Sequence, residues 1–205
     1  MKTEVSKIRW MAVTAMMGAM ATVLMMLDFS VPMLMPSFIK FDFSELPALI
    51  ASFALGPLSG ACVCLIKNVL NLVLHGSTTG GVGELSNLIL GCAFVVPAGL
   101  IYKSKKSRKT AIIGSFVGAL SMAVLSVFSN YFIIYPIYEN FMPLEAIIGA
   151  YQKINPRVSG LLECLILFNL PFTFVKGAAS AVITVLVYKY ISPVLKHGGK
   201  APAAN

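Results

Sequence analysis

Phe168-Asn169-Leu170-Pro171-Phe172-Thr173-Phe174-Val175-Lys176-Gly177 sits inside the last long apolar run of the chain, Leu161 to Ile191. Residues four and seven apart on a helix return to nearly the same side. Asn169, Thr173 and Lys176 therefore predict one polar stripe on an otherwise apolar rod. Pro171 has no N–H to donate, which loosens the helix beside that stripe. A lysine at such depth costs about 2.5–3.5 kcal/mol on insertion scales unless something receives it. Two readings follow: a buried site for a polar ligand, or a structural ion pair between helices.

The composition makes this run one membrane span among several. Of 205 residues, 58% are hydrophobic and only 12% charged, with a mean hydropathy of +0.84. A soluble domain of this size needs far less apolar sequence, so an integral, multi-pass protein of the cell membrane is expected. The net charge of +8 is no nucleic-acid signature, because its distribution follows the spans. Lys103, Lys105, Lys106, Arg108 and Lys109 share one connector. Lys2, Lys7 and Arg9 precede the first apolar run, and Lys189, Lys196 and Lys200 end or follow the last. Of the acids, only Glu4 lies in these basic segments. The bias predicts cytoplasmic N- and C-termini and an even number of spans.

Six transmembrane helices satisfy that count. The first runs from about Arg9 to Leu27 and is read as a retained helix rather than a cleaved signal. Ala15 and Ala19 on it are four residues apart, a spacing that serves either packing within the bundle or docking of a partner helix. Asp28 to Ser44 is an outer loop whose Met33-Leu34-Met35 tip is too apolar for solvent. It is expected to lie in the lipid interface or to fold back as a lid. Leu46 to Leu74 is broken at Gly56-Pro57 and predicts two short helices, with Ser44 as N-cap of the first. His75 to Glu84 is a glycine- and hydroxyl-rich loop lacking the Gly-Lys-Ser/Thr ending of an ATP site; it is either a solvated linker or, as the glycines directly before Glu84, Ser86 and Asn87 favour, a loop facing a polar ligand. Spans from Glu84 to Tyr102, from Thr110 to about Tyr135, and from Glu163 to Ile191 complete the set. The predicted organisation is a single six-helix substrate-binding domain over residues 1–192 and a short basic cytoplasmic tail over 193–205.

Catalytic readings fare poorly. His-Glu-x-x-His, a serine elbow and clustered carboxylates are missing, and His75 and His197 both fall in loops. The cysteines Cys62, Cys64, Cys92 and Cys164 lie in or beside apolar spans without metal-ligand spacing, so neither a catalytic nor a metal site is expected. What fits is a small binding subunit with an outward pocket and a helix face for a motor.

Phe41-Asp42-Phe43-Ser44-Glu45-Leu46-Pro47-Ala48-Leu49, Gly56-Pro57, Leu65-Ile66-Lys67-Asn68, Gly76-Ser77-Thr78-Thr79-Gly80-Gly81-Val82-Gly83-Glu84 and the Asn169–Lys176 stretch together resemble one family. It is the riboflavin-specific S components of energy-coupling-factor (ECF) vitamin transporters, the RibU family. The resemblance implies an all-α, monomeric six-helix bundle that captures riboflavin from outside, as transported ligand rather than cofactor. It further implies partnership with an ECF module of one membrane coupling subunit and two ATPases, toppling in the bilayer for release, and a gate in the loop after helix one. Ala15 and Ala19 would dock the coupling subunit. Glu45, Thr78, Asn130, Asn169 and Lys176 fall in the flavin-contacting segments, with Phe43 and Phe172 as candidate walls. An S component for a different vitamin, a membrane-embedded enzyme, or an assembly subunit without ligand are the alternatives.

Overall fold

The computed structural model describes residues 2–77 and 79–197. The chain is a helical bundle: α1 (Lys2–Met26), α2 (Glu45–Leu55), α3 (Pro57–His75), α4 (Val82–Ser104), α5 (Arg108–Tyr138), α6 (Leu144–Gln152) and α7 (161–197). Between α1 and α2 the loop forms a two-stranded antiparallel ribbon, β1 (Phe29–Ser30) with β2 (Lys40–Phe41), pairing Phe29 with Phe41 and Ser30 with Lys40.

Five stretches are long and apolar enough to cross a membrane: Lys7–Met26, Pro57–His75, Val82–Ser104, Arg108–Tyr138 and Leu161–Val187. Six transmembrane helices were expected, two of them short; five reach membrane-spanning length, and the apolar helix α2 falls short of it. The break does fall at Gly56, whose φ of 103° is open to glycine, and Pro57 starts α3 at a position needing no N–H partner. The division is unequal, however: α2 has 11 residues and α3 has 19. At about 1.5 Å per residue α2 spans about 16 Å, roughly half a hydrocarbon core. Its start falls where Asp42, Ser44 and Glu45 are held in buried polar contacts.

Small residues set the packing. A Cβ on Gly114 of α5 would stand 2.7 Å from the Ala98 carbonyl oxygen of α4, so the two backbones approach as closely as glycine permits. Phe94, Val95, Ala98, Ala119 and Met122 fill the core beside this seam. Thr14 of α1 bonds Ser59 of α3 at 2.7 Å, and the Ser52 hydroxyl of α2 donates to the Val95 carbonyl of α4 at 2.7 Å. Such bonds tie apolar helices together where water does not compete. Met16, Met20, Phe116, Phe132, Val182 and Leu186 point outward, as a lipid-facing surface requires.

Two π-helical segments interrupt the long outer helices. Asn130–Ile134 lies in α5, where the Tyr135 N–H bonds the Asn130 carbonyl. Leu165–Asn169 lies in α7, where the Leu170 N–H bonds the Leu165 carbonyl. Each precedes a proline. Pro136 and Pro171 cannot donate to the carbonyls of Phe132 and Leu167, and their rings crowd those carbonyls. Widening the turn to a five-residue ring accommodates both problems. The consequence is positional: one widened turn begins at Asn130 and the other ends at Asn169.

Candidate functional site

A cavity of about 380 Å³ opens at the end of the bundle beside the loop between α1 and α2, within the usual range for small-molecule sites. Its deep wall carries Asn130 from α5 and Asn169, Phe172, Thr173 and Lys176 from α7. The polar stripe of α7 is therefore one wall, as its spacing predicts. Ser86, Asn87 and Leu90 from α4 and Asn71 from α3 form another. Tyr135 and Tyr138 at the end of α5 join Met35, Phe38 and Ile39 from the loop between α1 and α2. The loop thus folds back over the bundle. Its apolar tip is divided, with Met35 buried inward and Met33 and Leu34 left exposed.

Lys176 has a protein partner. Its Nζ donates to Oδ2 of Asp42 at 2.8 Å, both side chains being buried. Lys176 thus both lines the cavity and forms an ion pair, its partner lying in the loop before α2 rather than on another helix. Burial pushes the Asp42 carboxyl up. The Lys176 ammonium beside it, Lys67 further off and hydrogen bonds from Lys176 and Ser44 outweigh that and hold it down to about 2. The stabilisation is complete above the ordinary value of 3.8 and disappears only as pH falls through about 2. Asp42 therefore stays ionised at any physiological pH.

Beneath that pair lies a second one. Lys67 of α3 is fully buried and donates to Glu45 Oε1 at 2.7 Å and to Ser44 Oγ at 2.6 Å. Ser44 is consequently no N-cap: it has helical torsions and no side-chain cap bond, its hydroxyl being turned to the lysine. Glu45 is fully buried and is not among the residues lining the cavity.

The two asparagines are set by their neighbours. Tyr151 of α6 donates to Asn169 Oδ1 at 2.6 Å and shares a 2.7 Å bond with the Tyr135 hydroxyl. Ser86 donates to Asn130 Oδ1 at 3.4 Å. With each carboxamide oxygen engaged, each NH₂ remains as the donor for a ligand.

Of the residues expected from sequence, Asn130, Asn169, Phe172 and Lys176 come together around the cavity. Phe43 does not line it, its ring packing on Phe41, which in turn meets Phe172 edge to face at 5.8 Å. Thr78 lies outside the described residues. Ala15 and Ala19 sit on the exposed face of α1 with Met16 and Met20, while Thr14 and Gly18 face inward. Sequence reasoning missed Asp42 as a site residue, together with Tyr135 and Tyr138. The signal for Asp42 was an acid between two phenylalanines in an apolar loop.

A family profile described as ECF transporter, substrate-specific component, matches residues 9–188. The chain is an S component of the RibU family. This S component is 34% identical over 188 residues to "Riboflavin transporter FmnP" of Bacillus subtilis (strain 168), covering 91% of this chain and 94% of the relative. It is 32% identical over 182 residues to "Riboflavin transporter RibU" of Staphylococcus aureus (strain TCH60), covering 89% of each. Its fold matches a solved structure described as "Structure and mechanism of the S component of a bacterial ECF transporter", with a TM-score of 0.71 and 28% identity. That match covers 93% of this chain and 99% of the other. The S component is thus an all-α, multi-pass membrane transport subunit rather than an enzyme. Among the described residues no cluster of His, Cys, Asp and Glu could hold a metal ion.

Proposed function

We propose that this S component binds riboflavin from outside the cell and hands it inward when docked to an ATP-driven ECF module. The observation that carries the ligand is the donor set on the deep wall. Isoalloxazine ends in a pyrimidine edge with two carbonyls and ring nitrogens as acceptors and a single N–H. The Asn130 and Asn169 amides and the Lys176 ammonium are donors for the former, and the Asp42 carboxylate is an acceptor for the latter. Phe172, Tyr135 and Tyr138 provide flat apolar walls for the ring, and the Thr79 hydroxyl on the lining is available to a polyol chain. Both relatives described above carry the name of riboflavin transporters.

The basic connector Lys103–Lys109 and the basic ends favour cytoplasmic termini, with α2 and α3 together forming the second and third of six crossings. In that topology the cavity opens outward and the outer loop covers it. Ala15 and Ala19 leave a smooth strip on α1 against which a coupling helix can pack. Substitution of both by Leu would block assembly with the module without disturbing ligand capture.

Two outcomes test the proposal. Protein purified from riboflavin-grown cells elutes with a yellow, fluorescent compound in about equimolar amount; a colourless sample that takes up no flavin refutes it. Tyr151→Phe is expected to weaken riboflavin binding about 3- to 10-fold, because Asn169 loses the bond that orients its amide. An unchanged affinity in a flavin titration would show that Asn169 is held without it.

A further inference from the structure

The glycine-rich loop before α4 has the composition of an anion cradle, yet its geometry is spent. The Ser77 hydroxyl accepts the Thr79 and Gly81 N–H groups at 3.2 and 2.8 Å, and the Thr79 hydroxyl accepts that of Gly83 at 3.0 Å. Those three backbone donors, which could otherwise help gather a phosphate, are thus satisfied by the loop itself. In addition, Ser77 donates to Oε2 of Glu84, which places a carboxylate at the cavity wall in the first turn of α4.

Charge around the cavity points the same way. Lys176 is paired with Asp42 in the buried end, at 7% and 4% exposure. Lys40 is paired with Asp28 at 3.0 Å toward the rim, at 50% and 31% exposure. Both lining lysines are therefore neutralised, and Glu84 has no cationic partner among the described residues. A ligand whose ring occupies the buried donors leads its side chain to this rim.

We infer that Glu84 is a specificity residue that selects the neutral flavin over its 5′-phosphate. The inference rests on the riboflavin reading above and extends it to the rim. A phosphate brings about −1.5 to −2 charges to a rim that carries a carboxylate without a cationic partner and, among the described lining residues, no unpaired lysine or arginine. A ribityl 5′-hydroxyl brings none, and the Thr79 hydroxyl can receive it.

The test is fluorescence titration of the purified full chain with riboflavin and with FMN, at about 10 mM and at about 0.15 M salt. Wild-type protein is expected to bind FMN at least about tenfold more weakly at low salt, with the gap narrowing as salt screens the rim. Glu84→Gln should narrow the gap by at least about threefold and Glu84→Lys by more, with riboflavin affinity little changed. A riboflavin-to-FMN ratio unmoved by salt and by both substitutions overturns the inference, as does equal binding of the two by the wild type. Should the variants fail to fold, the wild-type salt series still decides. Absence of binding by either flavin would overturn the functional reading as well, whereas riboflavin binding without discrimination overturns this inference alone.

Discussion

Lys176→Ala lowers riboflavin affinity by about 10- to 100-fold, the range for losing a charge-assisted hydrogen bond of about 1.5–3 kcal/mol in a dry site. The same substitution strands Asp42, ionised and 4% exposed, without its cation. Breaking a buried pair from one side costs about 3–5 kcal/mol, so the thermal midpoint in detergent falls as well. The two effects separate in a second variant. Lys176→Met combined with Asp42→Asn removes both charges and should recover most of the stability, while the binding defect persists. Recovery of binding along with stability would mean that Lys176 acts only as a brace for the outer loop.

Lys67→Met is expected to destabilise the fold by about 3–5 kcal/mol, since it leaves Glu45 fully buried beside an apolar side chain. Pairing it with Glu45→Leu should restore most of that loss, because an apolar pair of similar volume replaces two desolvated ions. Riboflavin affinity in the double variant should remain within about threefold of wild type, as neither residue lines the cavity. Denaturation midpoints and flavin titration on the same preparations check both halves. A double variant that is stable but does not bind would return Glu45 to the ligand's contacts.

The sequence was informative where periodicity met cost. A lysine deep in an apolar run, with Asn169 and Thr173 on its side of the helix, was enough to locate one wall of the site. Asn130 was legible for the same reason, an amide among aromatics at the outer end of a span. The partner of Lys176 was not, because Asp42 is 134 residues away and pairs through tertiary packing rather than helical spacing. Glu45 was assigned to the ligand on its place in a motif, whereas its buried neighbour Lys67 claims it. No local signal distinguishes two lysines and two carboxylates that could pair in either arrangement. The π-helical turns were equally hidden: Pro136 and Pro171 announce a disturbance, but whether the helix kinks, stops or widens depends on what packs against it. Likewise Gly56-Pro57 marked a break without stating that the helix before it would be little more than half as long as the one after.

The central claim is that a donor-rich pocket on α5 and α7 captures riboflavin. Purified, flavin-free protein titrated into riboflavin should quench its fluorescence saturably with one site per chain, and Asn130→Ala, Asn169→Ala and Lys176→Ala should each shift the curve by about tenfold or more. A folded protein that leaves riboflavin fluorescence unchanged, or quenching that survives all three substitutions, would contradict it.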